Sequence, residues 1–265
     1  MEYLFLVAGL AMIIFGASML TDGSVALAER FKIPEFIVGL TIVAVGTSMP
    51  ELTVSFLSAL GGKGDMAIGN VVGSNICNVF VILGICALFA PLTFTRNNVR
   101  RDIPMCIVAT LMLTAMTLLN GDITRIEGII LLVCYIAMIW FTIRADRRSA
   151  PKEDDNAPLM PTWRIPVWII LGLAGLIFGG DMFVDSASSI ARQWGVSEAT
   201  IAITLVAGGT SMPELASSIT MVLKGRTELA LGNVLGSNIA NILLILGACS
   251  SATPLTMGGV TMTDV

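Results

Sequence analysis

Two glutamates stand in identical surroundings. Residues 46–52 and 209–215 both read GTSMPEL, and each heptapeptide lies inside a long apolar run. Glu51 and Glu214 are thereby carried to a depth where a lone carboxylate costs at least several kcal/mol. No lysine or arginine lies at comparable depth, so the expected partner is a bound cation or a proton. Thr47 and Ser48 precede Glu51 by four and three residues, which puts both hydroxyls on the carboxylate's helical face. Thr210, Ser211 and Glu214 repeat the arrangement. Each cluster offers hard oxygen ligands only.

Pro50 and Pro213 cannot donate to the carbonyl four residues back, and their rings crowd it. The helix is expected to break just before each glutamate and to free carbonyls over Ala44–Gly46 and Ala207–Gly209, which only a polar cavity would tolerate. A kink without ligands would be ordinary for one copy. Two copies beside two glutamates favour an ion site. In the following run Asn70, Ser74 and Asn78 recur every four residues, as do Asn233, Ser237 and Asn241, next to Gly69, Gly73, Gly232 and Gly236. Small residues and amides also join membrane helices without binding anything. The expected division assigns Ser74, Asn78, Ser237 and Asn241 to ligation, and Asn70, Asn75, Asn233 and Asn238 to holding the broken helices. Two carboxylates among hydroxyl, amide and carbonyl oxygens suit calcium, which takes about six to eight oxygens. Sodium fits the same set, and protons would relieve the same repulsion. Competition for one site is the physical basis of antiport.

The elements that must carry these residues are read from composition. The 265 residues are 55% hydrophobic and 13% charged, with mean hydropathy +0.87. No soluble core of this size hides that much apolar surface, so an all-α polytopic membrane protein is expected. At about 20 apolar residues per crossing, eight spans are expected, at 3–28, 35–60, 66–90, 102–120, 125–144, 165–191, 198–223 and 229–250. The first is kept as a span because it lacks the basic n-region and cleavage site of a signal peptide. Residues 145–164 are polar and charged and read as a solvated linker. One side of this topology collects twelve of the fifteen Lys and Arg residues, the other Lys63, Arg125 and Arg192. The excess belongs in the cytoplasm, which places the N-terminus outside and the linker inside, in the cell (inner) membrane. Cys77, Cys86, Cys106, Cys134 and Cys249 are expected as buried packing residues without disulfides. Asp22 and Asp185 fall near the interface, as headgroup-depth or cavity-mouth residues.

Residues 69–78 (GNVVGSNICN) and 232–241 (GNVLGSNIAN) agree at eight of ten positions, at the same 163-residue offset that relates the heptapeptides. The offset also aligns Asp22 with Asp185, Glu35 with Glu198 and Thr41 with Thr204, so the unit is duplicated. Five spans precede the linker. An odd number inverts the second copy, and inverted repeats place their sites near the midplane between broken helices. Residues 1–144 then form the first repeat, with five helices. Residues 165–265 hold three helices of the second, because Val265 aligns with Asp102. The last two spans of an expected ten are absent from this stretch, and a fragment of a ten-span protein is the expectation.

With its paired G-T-S-M-P-E and G-N-V-x-G-S-N-I-x-N motifs, the chain resembles the sodium/calcium exchanger family of the cation/calcium antiporter superfamily, prokaryotic type. The resemblance implies a ten-helix inverted-repeat fold whose second, third, seventh and eighth helices bind the ions, with the first and sixth sliding across them. It implies cation ligands at Ala44, Thr47, Ser48, Glu51, Ser74, Asn78, Ala207, Thr210, Ser211, Glu214, Ser237 and Asn241. Some family members have aspartate where this chain has Asn241, so the site here carries two carboxylates instead of three. The expected activity is antiport of Ca2+ against Na+, with Ca2+/H+ or other cation/H+ exchange as the alternative and a passive cation channel behind both. The partners expected are Ca2+, Na+ and the lipid bilayer, with H+ under the alternative, and with no cofactor and no nucleic acid. An intramembrane hydrolase is disfavoured, because no histidine exists and no lysine adjoins Ser48 or Ser211.

Overall fold

The computed structural model describes residues 1–146, 160–201, 205 and 207–256; the expectations for most of the linker, for Thr204 and for residues 257–265 lie outside the described residues. Among the described residues six helices are long and apolar enough to cross a membrane: α1 (Glu2–Phe31), α4 (Gly64–Phe89), α5 (Asn98–Leu118), α6 (Arg125–Ala145), α7 (Arg164–Gln193) and α11 (Thr227–Ala252). A seventh span is a pair, α2 (Glu35–Thr47) and α3 (Met49–Leu60), bent by 48° at Ser48. Within the expected span at 198–223 the described residues form α8 (Glu198–Ile201), α9 (Ala207–Gly209) and α10 (Met212–Leu223), with a break at Thr210–Ser211 between the last two. A two-residue strand β1 (Asp122–Ile123) pairs antiparallel with β2 (Leu255–Thr256), a contact the sequence does not announce. The chain is a multi-pass membrane protein.

α1 and α7 each run 30 residues. At about 1.5 Å per residue each is about 45 Å long, well beyond the about 30 Å hydrocarbon core, so each must tilt or project. They cross antiparallel: Gly9 meets Gly179 and Phe183, Gly16 meets Gly172 and Leu176, and Gly23 meets Trp168 and Ile169. A Cβ on Gly16 would lie 2.8 Å from the Gly172 carbonyl oxygen, and one on Gly179 would lie 3.0 Å from the Gly9 carbonyl oxygen. Only glycine lets the two backbones touch in this way. Gly9 and Gly16 map onto Gly172 and Gly179 by the 163-residue offset, so each half supplies the same pair to the crossing.

α11 is the central element. Its apolar window is 94% buried, against 22–33% in the other five long helices, which turn most of their surface outward. α2 lies directly against it, with Gly39 packed on the Leu229 carbonyl and Gly232 on the Phe36 carbonyl. The long helices are not uniformly α. They widen into π-turns at Gly39–Val43, Cys77–Ile82, Asn98–Asp102 and Ala240–Leu246, a distortion common at functional sites. Cys86 and Cys249 are buried as expected, but Cys77, Cys106 and Cys134 are half-buried, because their helices turn part of each face outward.

Candidate cation site

Both helix breaks fall at the serine of the motif. Ser48 has φ −82° and ψ 10°, Ser211 has φ −87° and ψ 5°, and α3 and α10 restart at the next residue. Pro50 and Pro213 therefore occupy the second position of a new helix, where a missing N–H costs nothing. This corrects the expectation for the preceding carbonyls. The Ala44 carbonyl is not left free: it accepts the Ser48 N–H at 3.0 Å and the Thr47 hydroxyl at 3.4 Å. Ala207–Gly209 are helical in α9, so the second copy offers a helical turn there, not an unwound strand of carbonyls.

Glu51 and Glu214 are each 1% exposed. Their serine partners are exchanged between the halves. The Ser48 hydroxyl donates to Glu214 Oε1 at 2.8 Å, and the Ser211 hydroxyl donates to Glu51 Oε1 at 3.1 Å. Ser74 also donates to Glu51 Oε1, at 3.4 Å, and lies 3.3 Å from the Ser211 hydroxyl. The sequence placed each serine on the face of its own motif's carboxylate. The break at the serine instead aims that hydroxyl at the opposite half.

The asparagines bind in reciprocal pairs. Asn70 donates to Ser55 Oγ at 2.9 Å, and Asn233, 163 residues on, donates to Ser218 Oγ at 2.9 Å. Asn78 donates to Asn238 Oδ1 at 2.9 Å, and Asn241 to Asn75 Oδ1 at 3.0 Å. Asn233 further accepts the Thr47 hydroxyl at 3.2 Å and donates to Ser217. Ser55, Ser217 and Ser218 were not singled out from the sequence. The offset relating Ser55 to Ser218 was the available signal.

Burial without hydrogen bonds marks the rest of the site. Among the described residues, nine buried side-chain oxygens have no hydrogen-bond partner, and six of them belong to the two motifs: Glu51 Oε2, Glu214 Oε2, Asn78 Oδ1, Asn241 Oδ1, Thr210 Oγ1 and Ser237 Oγ. Such atoms are rare because each carries an uncompensated desolvation cost of about 1–3 kcal/mol. All six are oxygens with lone pairs to offer, and two belong to carboxylates. The donor set suits a hard cation and offers nothing to a soft one.

Asp22 lies outside this cluster. Lys224 Nζ reaches it at 2.6 Å and also donates to Ser18 Oγ at 2.8 Å, which ties α10 to α1. Glu35 and Glu198, related by the repeat, pair with Arg226 at 2.8 Å and Arg192 at 2.7 Å.

The chain matches the family model described as sodium/calcium exchanger protein over residues 1–144 and 164–264. The putative antiporter CaxA of Alkalimonas amylolytica is 37% identical to it, over 95% of this chain and 81% of that protein. The inner membrane protein YrbG of Escherichia coli is 35% identical, over 94% of this chain and 79% of that protein. The sodium-calcium exchanger NCX_Mj, in a structure soaked with 10 mM Na+ and zero Ca2+, superposes with a TM-score of 0.86 at 29% identity, covering 99% of this chain and 86% of that one. The chain belongs to the sodium/calcium exchanger protein family.

Proposed function

We propose that the chain is a secondary active antiporter that exchanges Ca2+ against Na+ by alternating access at the cluster around Glu51 and Glu214. One observation carries the reading: six buried motif oxygens, two from the first half and four from the second, have lone pairs and no hydrogen-bond partner among the described residues. A cation at this cluster would take Glu51, Ser74 and Asn78 from one side and Glu214, Ser237 and Asn241 from the other. Thr47, Ser48, Thr210 and Ser211 supply hydroxyls. The cargo alternates because two carboxylates balance one divalent ion or two monovalent ones.

The antiparallel crossing of α1 and α7 and the reciprocal asparagine pairs support an inverted repeat, 1–144 and 165 onward, joined by the 145–164 linker. The excess of Lys and Arg supports a cytoplasmic linker and an outside N-terminus in the cell membrane. Calcium uptake into inverted vesicles under an imposed sodium gradient tests the coupling. Uptake that ignores the sodium gradient rejects it. A second reading, calcium/proton exchange, is favoured by Asn241, which leaves two carboxylates where some family members have three. Under that reading, uptake follows a pH gradient with sodium absent.

A further inference from the structure

An asparagine facing a cation is useful only if its oxygen points inward, since its amide hydrogens would repel the ion. Nothing local to Asn78 or Asn241 decides this, because the two ends of an amide are nearly the same size. The surrounding hydrogen bonds do decide it. Asn75 Nδ2 donates to the backbone carbonyl of Asn238 at 3.2 Å. A carbonyl only accepts, so the Asn75 nitrogen is fixed there and its Oδ1 is fixed at the other end. That oxygen takes the Asn241 Nδ2 at 3.0 Å. The Asn241 nitrogen is thereby held away, and its Oδ1 is left buried and unpartnered.

The opposite arm repeats the amide-to-amide bond. Asn78 Nδ2 donates to Asn238 Oδ1 at 2.9 Å, which leaves Asn78 Oδ1 buried and unpartnered. Asn78, Asn238 and Asn241 are each no more than 2% exposed, so water does not compete for their amide hydrogens.

We infer that Asn75 and Asn238 are positioning residues that lock the amides of Asn241 and Asn78 with oxygen inward, making both obligate neutral oxygen donors to the cation. They touch no ion themselves and act through their neighbours. The lock also sets selectivity by charge. An aspartate at position 241 would set a carboxylate oxygen against the fixed Asn75 Oδ1, with no hydrogen between them, so this surrounding is built for asparagine.

The inference rests on the cation-site reading proposed above, and the test separates the two. Calcium binding is measured by calorimetry on purified full chain for Asn75→Leu, Asn241→Ala and the double variant, with Glu51→Gln and Glu214→Gln as controls. Asn75→Leu is expected to weaken calcium binding roughly five- to 100-fold, the cost of an unmade bond to a buried polar group. In the Asn241→Ala background the same change should alter affinity less than about two-fold, because Asn75 then has no amide to orient. Effects of the two substitutions that multiply, or an unchanged affinity in Asn75→Leu, overturn the inference alone. Unchanged binding in both glutamate variants overturns the cation-site reading instead. Should Asn75→Leu not yield folded protein, the cycle of Asn238→Leu with Asn78→Ala reads the same coupling on the other arm.

Discussion

Ser48 and Glu51 stand three residues apart in one motif, yet the Ser48 hydroxyl donates to Glu214, 166 residues away, at 2.8 Å. Ser48→Ala removes that donor. Ser48 is 2% and Glu214 1% exposed, and Glu214 Oε2 already lacks a hydrogen-bond partner, so water is poorly placed to replace the hydroxyl. A hydrogen bond to a charged group contributes about 1.5–3 kcal/mol. At about 1.4 kcal/mol per factor of ten, calcium affinity should fall about ten- to 150-fold, because the carboxylate must be ionised to bind the ion. The origin of that loss is tested by double-mutant cycles with calorimetry. In the Glu214→Gln background Ser48→Ala should lose most of its effect, a coupling of about 1.5–3 kcal/mol. In the Glu51→Gln background it should keep that effect, with coupling under about 0.5 kcal/mol. Ser211→Ala should show the mirror pattern, coupled to Glu51, and should cost at least as much, since it also removes the contact with Ser74. Coupling of Ser48 to Glu51 instead of Glu214 would refute the exchange of partners between the halves.

A Cβ at Gly172 would fall 2.6 Å from the Leu20 nitrogen. Gly172→Val should therefore force α1 and α7 apart and lower the thermal unfolding midpoint, at a cost of about 1–3 kcal/mol, while calcium affinity, read by calorimetry, stays near the parent value. The Lys224 to Asp22 pair is partly exposed, with side-chain exposures of 32% and 48%. Lys224→Met should cost at most about 1 kcal/mol, and thermal unfolding in low and high salt should show that difference shrinking as salt rises. Protons compete with calcium for the two glutamates, so affinity should fall as pH falls, by at most about ten-fold per pH unit for each proton released on binding. Calorimetry across a pH series checks the slope, and Glu51→Gln should reduce it.

The composition alone called for a multi-pass helical membrane protein, because so apolar a chain has no soluble way to bury itself. The repeat was equally legible, since a constant 163-residue offset ties Glu51 to Glu214 and Asn78 to Asn241 without reference to space. Six of the twelve residues nominated from these motifs keep a buried side-chain oxygen without a hydrogen-bond partner among the described residues. What a pattern cannot carry is how two equal copies dock. Helical spacing put Ser48 with Glu51 and put free carbonyls at Ala44–Gly46. The docked halves instead aim Ser48 at Glu214 and bond the Ala44 carbonyl to Ser48. The direction of each asparagine amide is likewise a tertiary fact. Spacing says which residues share a helix face, but which end of an amide points inward depends on donors and acceptors brought from a distant helix, and here the deciding acceptor is the backbone carbonyl of Asn238.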